Sequence, residues 1–205
     1  MYRFFKNIIN TLIIVLAVVG LMSLYKNNVF NNISEKMAEL FSFDKDSTIE
    51  QVGDFSQVDN EFKISTAVNV LGCKTVVAKH SSSGQKMIII DSGKKTLLTQ
   101  NDLKNDTVKV KLEDLCKKYS RNSVDADNIE IIDRGYMTTY GQKVPYIKVC
   151  ASSSKFPTVK YTGIISVVEE DNKKHRLIVS LNDNKHYSQL ITTEFFKNVK
   201  DLNKK

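Results

Sequence analysis

Apolar and polar positions divide this chain into a continuous apolar run near its start and a longer stretch of short periodic patterns. Residues 8–25 are almost entirely apolar; Arg3 and Lys6 precede them and Lys26 follows. In a helix these residues rise about 27 Å, close to the thickness of the hydrocarbon core of a bilayer. The run therefore predicts a transmembrane helix that stays in place as a signal-anchor.

A cleaved signal peptide is the alternative interpretation of this run. Such a peptide has a shorter apolar region and ends in a small-x-small cleavage pattern. In this pattern Ala17 would need a small residue at position 19, and Gly20 would need one at position 22. These positions hold Val19 and Met22, so the cleavage signal is poor. Basic residues are more frequent before the run than directly after it. By the positive-inside bias, this predicts a cytoplasmic tail at residues 1–7 and an extracytoplasmic domain.

Residues 26–60, which follow the run, are predicted to form a juxtamembrane helix and a linker. Ile33, Met37, Leu40 and Phe41 follow helical spacing, so one side of a short helix is apolar. This stripe could lie on the membrane surface, contact the domain, or mediate self-association through residues 26–46. A capping-box spacing at residues 47–50 predicts one more helical turn.

A domain at residues 61–201 is predicted from strand and helix patterns. Short polar connections join consecutive strands into hairpins, which makes the sheet mostly antiparallel. Two amphipathic helices must bury their apolar stripes against this sheet, so the fold class is α+β. Strands are expected at residues 74–79, 86–91, 129–139, 143–151, 158–168 and 175–181, and helices at residues 108–121 and 187–199.

Composition and charge narrow the function classes. The chain has 30 Lys and Arg residues against 23 Asp and Glu, which gives a net charge of +7. The basic residues occur as scattered pairs without interleaved aromatic residues, so nucleic-acid binding is not predicted. Weak attraction to anionic lipid is the better expectation for a domain beside a membrane. Neither of the glycine-rich nucleotide-binding patterns, G-x-x-x-x-G-K-S/T and G-x-G-x-x-G, occurs in the chain, so no nucleotide cofactor is predicted.

Three cysteines are spread widely along the chain. Cys73, Cys116 and Cys150 show no spacing typical of a metal site, and each sits next to apolar residues in a predicted helix or strand. They are therefore expected to be small buried side chains. One disulfide with one remaining thiol is the alternative for an oxidising compartment.

Three histidines complete the candidate reactive groups. His80 precedes a serine-rich loop, His175 begins a predicted strand, and His186 precedes the last helix; none has the neighbourhood of a zinc site. The serines at positions 81–83 lack the strand-to-helix elbow of a nucleophilic serine, and a turn is favoured. We therefore predict no catalytic, cofactor-binding or metal-ligating residue.

The second half of the chain resembles the PsbP-like fold. The resemblance is carried by the predicted helix at residues 111–119, the strand at 128–132, the turn at 141–146, and the strand at 176–180 with the helix after it. This fold is shared by an extrinsic photosystem subunit, a Ran-binding nuclear import factor, and bacterial envelope lipoproteins of the DcrB and LpqN type. The resemblance implies binding or assembly work, not catalysis. It covers residues 105–200 and includes no invariant chemical motif.

These patterns predict a membrane-anchored accessory protein of the cell envelope that acts by protein or lipid binding. The alternative is an enzyme or metal-binding protein whose site is assembled from distant Cys, His and carboxylate residues, for example a cysteine with His80. A deep pocket where such groups converge would favour the alternative. A filled core beside an exposed apolar surface would favour binding.

Overall fold

The computed structural model of the chain describes residues 45–70, 73–93, 96–119, 128–153, 156–170 and 175–202. The predicted tail, anchor and apolar stripe of the juxtamembrane helix lie outside these ranges, and so does nearly all of the segment predicted to self-associate. None of the helices within them has the length and apolar character needed to cross a bilayer.

The described residues form four helices and seven strands, and the strands come in a group of three followed by a group of four. The helices are α1 (Lys45–Val52), α2 (Gln100–Lys104), α3 (Thr107–Tyr119) and α4 (Gln189–Asn198). The strands are β1 (Phe62–Val70), β2 (Cys73–His80), β3 (Lys86–Asp91), β4 (Asn128–Thr139), β5 (Gln142–Ser153), β6 (Phe156–Glu169) and β7 (His175–Asp183).

All seven strands form one antiparallel sheet in the order β1-β2-β3-β7-β6-β5-β4. Each hairpin pairs neighbours in the chain, and β3 pairs with β7 to join the two groups. The α+β class and the antiparallel sheet are therefore confirmed, and all six predicted strands occur. β1 was missed because a bulge between Ile64 and Thr66 breaks the alternation that identifies a strand.

Helices cover both faces of the sheet. On the first face, Leu103 of α2 and Leu112 of α3 pack with Ile88 of β3. On the second face, Val52 of α1 and Phe195 of α4 belong to the other apolar cluster. Adjacent residues of the inner strands belong to opposite clusters, so these strands are apolar throughout.

Two of the four described helices were predicted from the sequence as helices, and the other two go beyond what was predicted. The predicted helices correspond to α3 and α4; Ser188 caps α4, its Oγ accepting a hydrogen bond from the Ile191 amide. The turn expected at residues 47–50 is part of the longer α1. α2 was not predicted from the sequence, and it forms because Thr99 and Asp102 make a reciprocal capping box.

Both outer strands carry a β-bulge. On β1 the bulged residue is Ser65, whose hydroxyl donates to the carbonyl of Val77; on β4 the register shifts between Ile131 and Asp133. Bulges interrupt the row of unpaired backbone groups that makes an outer strand prone to association. On β4 the bulge leaves Ile132 46% exposed.

Candidate functional site

The described cysteines lie on opposite faces of the sheet. Cys73 begins β2 and is buried in the first-face cluster. Cys150 is a half-buried free thiol on β5, on the second face. His80 stands at the other end of β2 from Cys73, about 23 Å away at the rise of a strand. Cys73 is therefore not brought together with His80. The side chain of Cys116 lies outside the description.

His80 lies between a carboxylate and a hydroxyl. Its Nε2 is 2.8 Å from Oε2 of Glu61, and its Nδ1 is 2.9 Å from Oγ of Ser83. The Ser83 amide also donates to Nδ1 at 3.3 Å, which makes Nδ1 an acceptor and places the ring proton on Nε2. The residue is 6% exposed, and its ring packs against the ring of Phe62 at a tilt of 54°, with centroids 4.9 Å apart.

This Glu–His–Ser chain resembles the hydrogen-bond order of a serine triad, but its surroundings are those of a turn. The Ser83 hydroxyl accepts a hydrogen bond from the Gln85 amide at 3.2 Å, and the Gly84 amide donates to the His80 carbonyl at 2.9 Å. These bonds close the β2–β3 hairpin, in which Gly84 takes a φ of 70°. The arrangement therefore fixes the hairpin and joins it to Glu61 at the start of β1.

The other two histidines are also placed beside carboxylates. His186 Nδ1 lies 2.7 Å from Oδ2 of Asp183, and this bond helps lower the pKa of Asp183, although burial opposes the shift. His175 Nδ1 is 3.9 Å from Oε1 of Glu169. Among the described residues, no group of three or more Cys, His, Asp or Glu is placed to hold a metal ion.

A network of hydroxyl and amide groups fastens α4 to the second face. Gln85 donates from Nε2 to the Ser188 carbonyl at 2.9 Å and to the Thr192 hydroxyl at 2.8 Å, and the Ser188 amide donates to its Oε1 at 2.8 Å. Thr192 in turn donates to the Ser180 hydroxyl on β7 at 2.9 Å. Gln85 and Thr192 are fully buried, so these bonds fix where α4 begins on the sheet.

A buried arginine joins several elements at the opposite end of the sheet. Arg176 is 1% exposed; its Nη1 is 3.6 Å from Oδ2 of Asp201 and bonds Glu170, and its Nε is 3.9 Å from Oδ2 of Asp91. Its guanidinium lies 4.4 Å from the centroid of the Tyr140 ring. Burial lowers the pKa of Arg176, but Tyr140 and the three carboxylates outweigh this and raise it. We name these five residues the arginine cluster.

Tyr140 extends the arginine cluster to α1. It occupies the two-residue turn between β4 and β5 with a φ of 51°, followed by Gly141 at 71°, as a hairpin turn of this length requires. Its hydroxyl donates to the Val52 carbonyl at 2.9 Å, and burial raises its pKa. This cluster was not predicted from the sequence. The signal was an Arg and an Asp at the ends of strongly apolar strands.

A shallow groove of about 640 Å³ lies between α3 and the outer strand β4. Arg134 crosses it, donating to Oδ1 of Asp106 at 2.9 Å and to the Lys104 carbonyl at 3.1 Å. Large apolar side chains with high exposure occur on the same two elements: Val110 at 58%, Ile132 at 46% and Tyr136 at 59%. We call these two elements and their groove the β4 edge.

No family model matches the chain, and no curated protein matches it. Functional proposals for this chain therefore depend on its own residues.

Proposed function

We propose that this chain is a membrane-anchored accessory protein of the cell envelope that acts by binding and not by catalysis. Residues 8–25 form the single membrane span, residues 1–7 a cytoplasmic tail, and residues 61–201 an extracytoplasmic domain joined by residues 26–60. The observation that carries the proposal is the apolar run, whose length matches a bilayer and which basic residues flank on both sides.

The domain supports a binding role through its β4 edge. Exposed apolar side chains beside a groove are typical of a surface that contacts another protein. Val110, Ile132 and Tyr136 supply such side chains, and Asp106 and Arg134 supply charged groups that line the groove. The proposed partner is a protein that covers this edge.

The resemblance to the PsbP-like fold supports the same role. The segments that carry it lie between α3 and α4, a stretch that contains four of the seven strands, including β4 itself. Members of that fold work mostly in binding or assembly. We propose that this chain is a remote member with a membrane span in place of a lipid anchor.

Two measurements test the proposal. After alkaline carbonate washing, the full chain should remain in the membrane pellet; recovery of the intact chain in the supernatant would contradict the anchor. A photo-crosslinking residue at Ile132 should then yield a discrete adduct in membranes. The matched position is Leu190 on α4, which is 82% exposed and does not line the groove. Equal adducts from both positions, or none from Ile132, would contradict a partner at the β4 edge.

A further inference from the structure

Three lysines stand side by side across the first three strands. Lys63 of β1 is opposite Lys79 of β2, and Lys79 is opposite Lys86 of β3. Directly opposite residues on neighbouring antiparallel strands point to the same face, with Cβ atoms about 5 Å apart. The three side chains therefore form one row on the first face, which we call the lysine row.

The lysine row concentrates positive charge at one edge of the sheet. Lys63 and Lys79 are exposed, whereas Lys86 is 8% exposed. Burial, followed by the charge of Lys79, lowers the pKa of Lys86 from its ordinary value of 10.5 to about 8. Like charges directly opposite one another destabilise a sheet, so an anion bound at this row would offset a cost already present in the fold.

Acidic residues at this end of the sheet are engaged elsewhere. Glu61 directs its carboxylate to His80, whose ring packs against Phe62 of the second-face cluster. Asp183, near the end of β7, is bonded to the His186 ring at 2.7 Å. Within the described ranges, neither carboxylate forms an ion pair with Lys63 or Lys79, the two exposed lysines of the row.

The chain enters the described domain at the same edge. Lys45 begins α1, and its Nζ donates to the carbonyl of Ile64 at 3.3 Å, one residue from Lys63. Residues 26–44 connect this point to the proposed membrane span. The part of the domain where the tether arrives thus also carries the lysine row, and Lys45 adds a further exposed cation there.

We propose that the lysine row binds the phosphate groups of anionic lipids and holds the β1 edge of the sheet against the membrane surface. This inference depends on the proposed membrane anchor. The anchor keeps the domain close to lipid, so weak contacts between single lysines and headgroups are sufficient to orient it. Lys63 and Lys79 contact the headgroups, and Lys86 increases the positive potential behind them.

Lysine acylation of the full chain in vesicles tests this orientation. Two lysines at an anionic surface favour contact by roughly thirtyfold, so acylation of Lys63 and Lys79 should fall at least about threefold when phosphatidylglycerol replaces about a third of the phosphatidylcholine. Lys109 and Lys197 are exposed on α3 and α4 and serve as internal references. Mass spectrometry gives the rate at each lysine, and high salt should remove the protection.

Each other outcome counts against the inference. Equal slowing at all four lysines, or none at Lys63 and Lys79, would overturn it. Protection by inorganic phosphate in pure phosphatidylcholine vesicles would assign the row to a free anion and overturn the lipid assignment. Pelleting of the chain with carbonate-washed vesicles reports separately on the anchor, so the two proposals fail in distinguishable ways.

Matched variants test whether the row acts as a unit. Lys79→Gln should remove most of the protection at Lys63, because the row then loses its central charge. Lys109→Gln makes the same change in net charge on α3 and should leave the protection at Lys63 intact. If the two variants have equal effects, the protection reflects net charge and the row has no special part in it.

Discussion

Arg176→Met should destabilise the domain by about 3–5 kcal/mol, because it removes the cation of a buried charged cluster and leaves its carboxylates behind. The guanidinium is 1% exposed, so water does not compensate for its loss. Asp91 is 1% exposed, and the carboxylates of Glu170 and Asp201 are each 9% exposed. The variant would therefore remove the cation that these three carboxylates share.

The distances support a loss of this size. At an effective dielectric constant of about 20, unit charges about 4 Å apart interact by about 4 kcal/mol. Arg176 has contacts of 3.6 Å with Asp201 and 3.9 Å with Asp91, besides its bond to Glu170. Part of this attraction is spent on removing the ions from water, so the measured loss should fall below the Coulomb sum.

Denaturant unfolding of the full chain in detergent, followed by circular dichroism, measures the effect. Arg134→Met is the matched control, because Arg134 pairs with the fully exposed Asp106 and should contribute less than about 1 kcal/mol. Equal losses in the two variants would refute this account of the cluster.

A second substitution makes the test sharper. In the wild-type background Glu170→Gln removes an attraction to Arg176 and should destabilise the domain. In the Arg176→Met background that attraction is already absent, so the same change should destabilise the domain less. The effect of Glu170→Gln should therefore differ between the two backgrounds, and a double-mutant cycle measures this coupling directly. Additive effects would show that the two residues do not interact energetically.

Three further predictions concern other parts of the domain. Lys86→Met should stabilise the domain at pH 7. In the wild type the pKa of Lys86 is lowered, so the unfolded chain binds more protons than the folded chain between about pH 8 and 10.5. The free energy of unfolding of the wild type should therefore rise by up to about 3 kcal/mol across that window, as denaturant unfolding at several pH values will show. Gly163→Ala should cost at least about 2 kcal/mol in the same assay, since its Cβ would overlap the backbone carbonyl of Ser180; an unchanged midpoint would contradict the close packing of β6 on β7. Iodoacetamide should alkylate Cys150 at least about tenfold faster than Cys73 in the native protein, because only Cys150 has appreciable exposure, and equal rates by mass spectrometry would contradict these placements.

Local patterns predicted most of the sheet because they report short-range structure. The strand alternation, the polar hairpin loops and the stripe of α4 are each contained within a few residues. β1 was missed where the bulge at Ser65 and several polar side chains break that alternation. α2 was missed although the capping box at Thr99 and Asp102 was readable in the sequence.

The side-chain clusters could not be predicted in the same way, because they depend on which distant strands pair. Asp91 faces Arg176 only because β3 pairs with β7 in one register. Glu61 reaches His80 only because β1 exists and pairs with β2. A charged residue at the end of an apolar strand signals a buried ion pair, but it does not identify the partner.

The two ends of the β1–β3 hairpins differ in how acidic residues surround their basic side chains, and this difference has a functional consequence. At one end Arg176 is enclosed by carboxylates; at the other the lysine row has its acidic neighbours directed elsewhere. If the lysine row contacts lipid, the β4 edge lies six strand spacings away, about 29 Å from the membrane-facing strand. A partner could then bind beside Ile132 without displacing the domain from the membrane. Crosslinking from Ile132 should accordingly persist in Lys79→Gln, and its loss there would mean that lipid contact and partner binding are coupled.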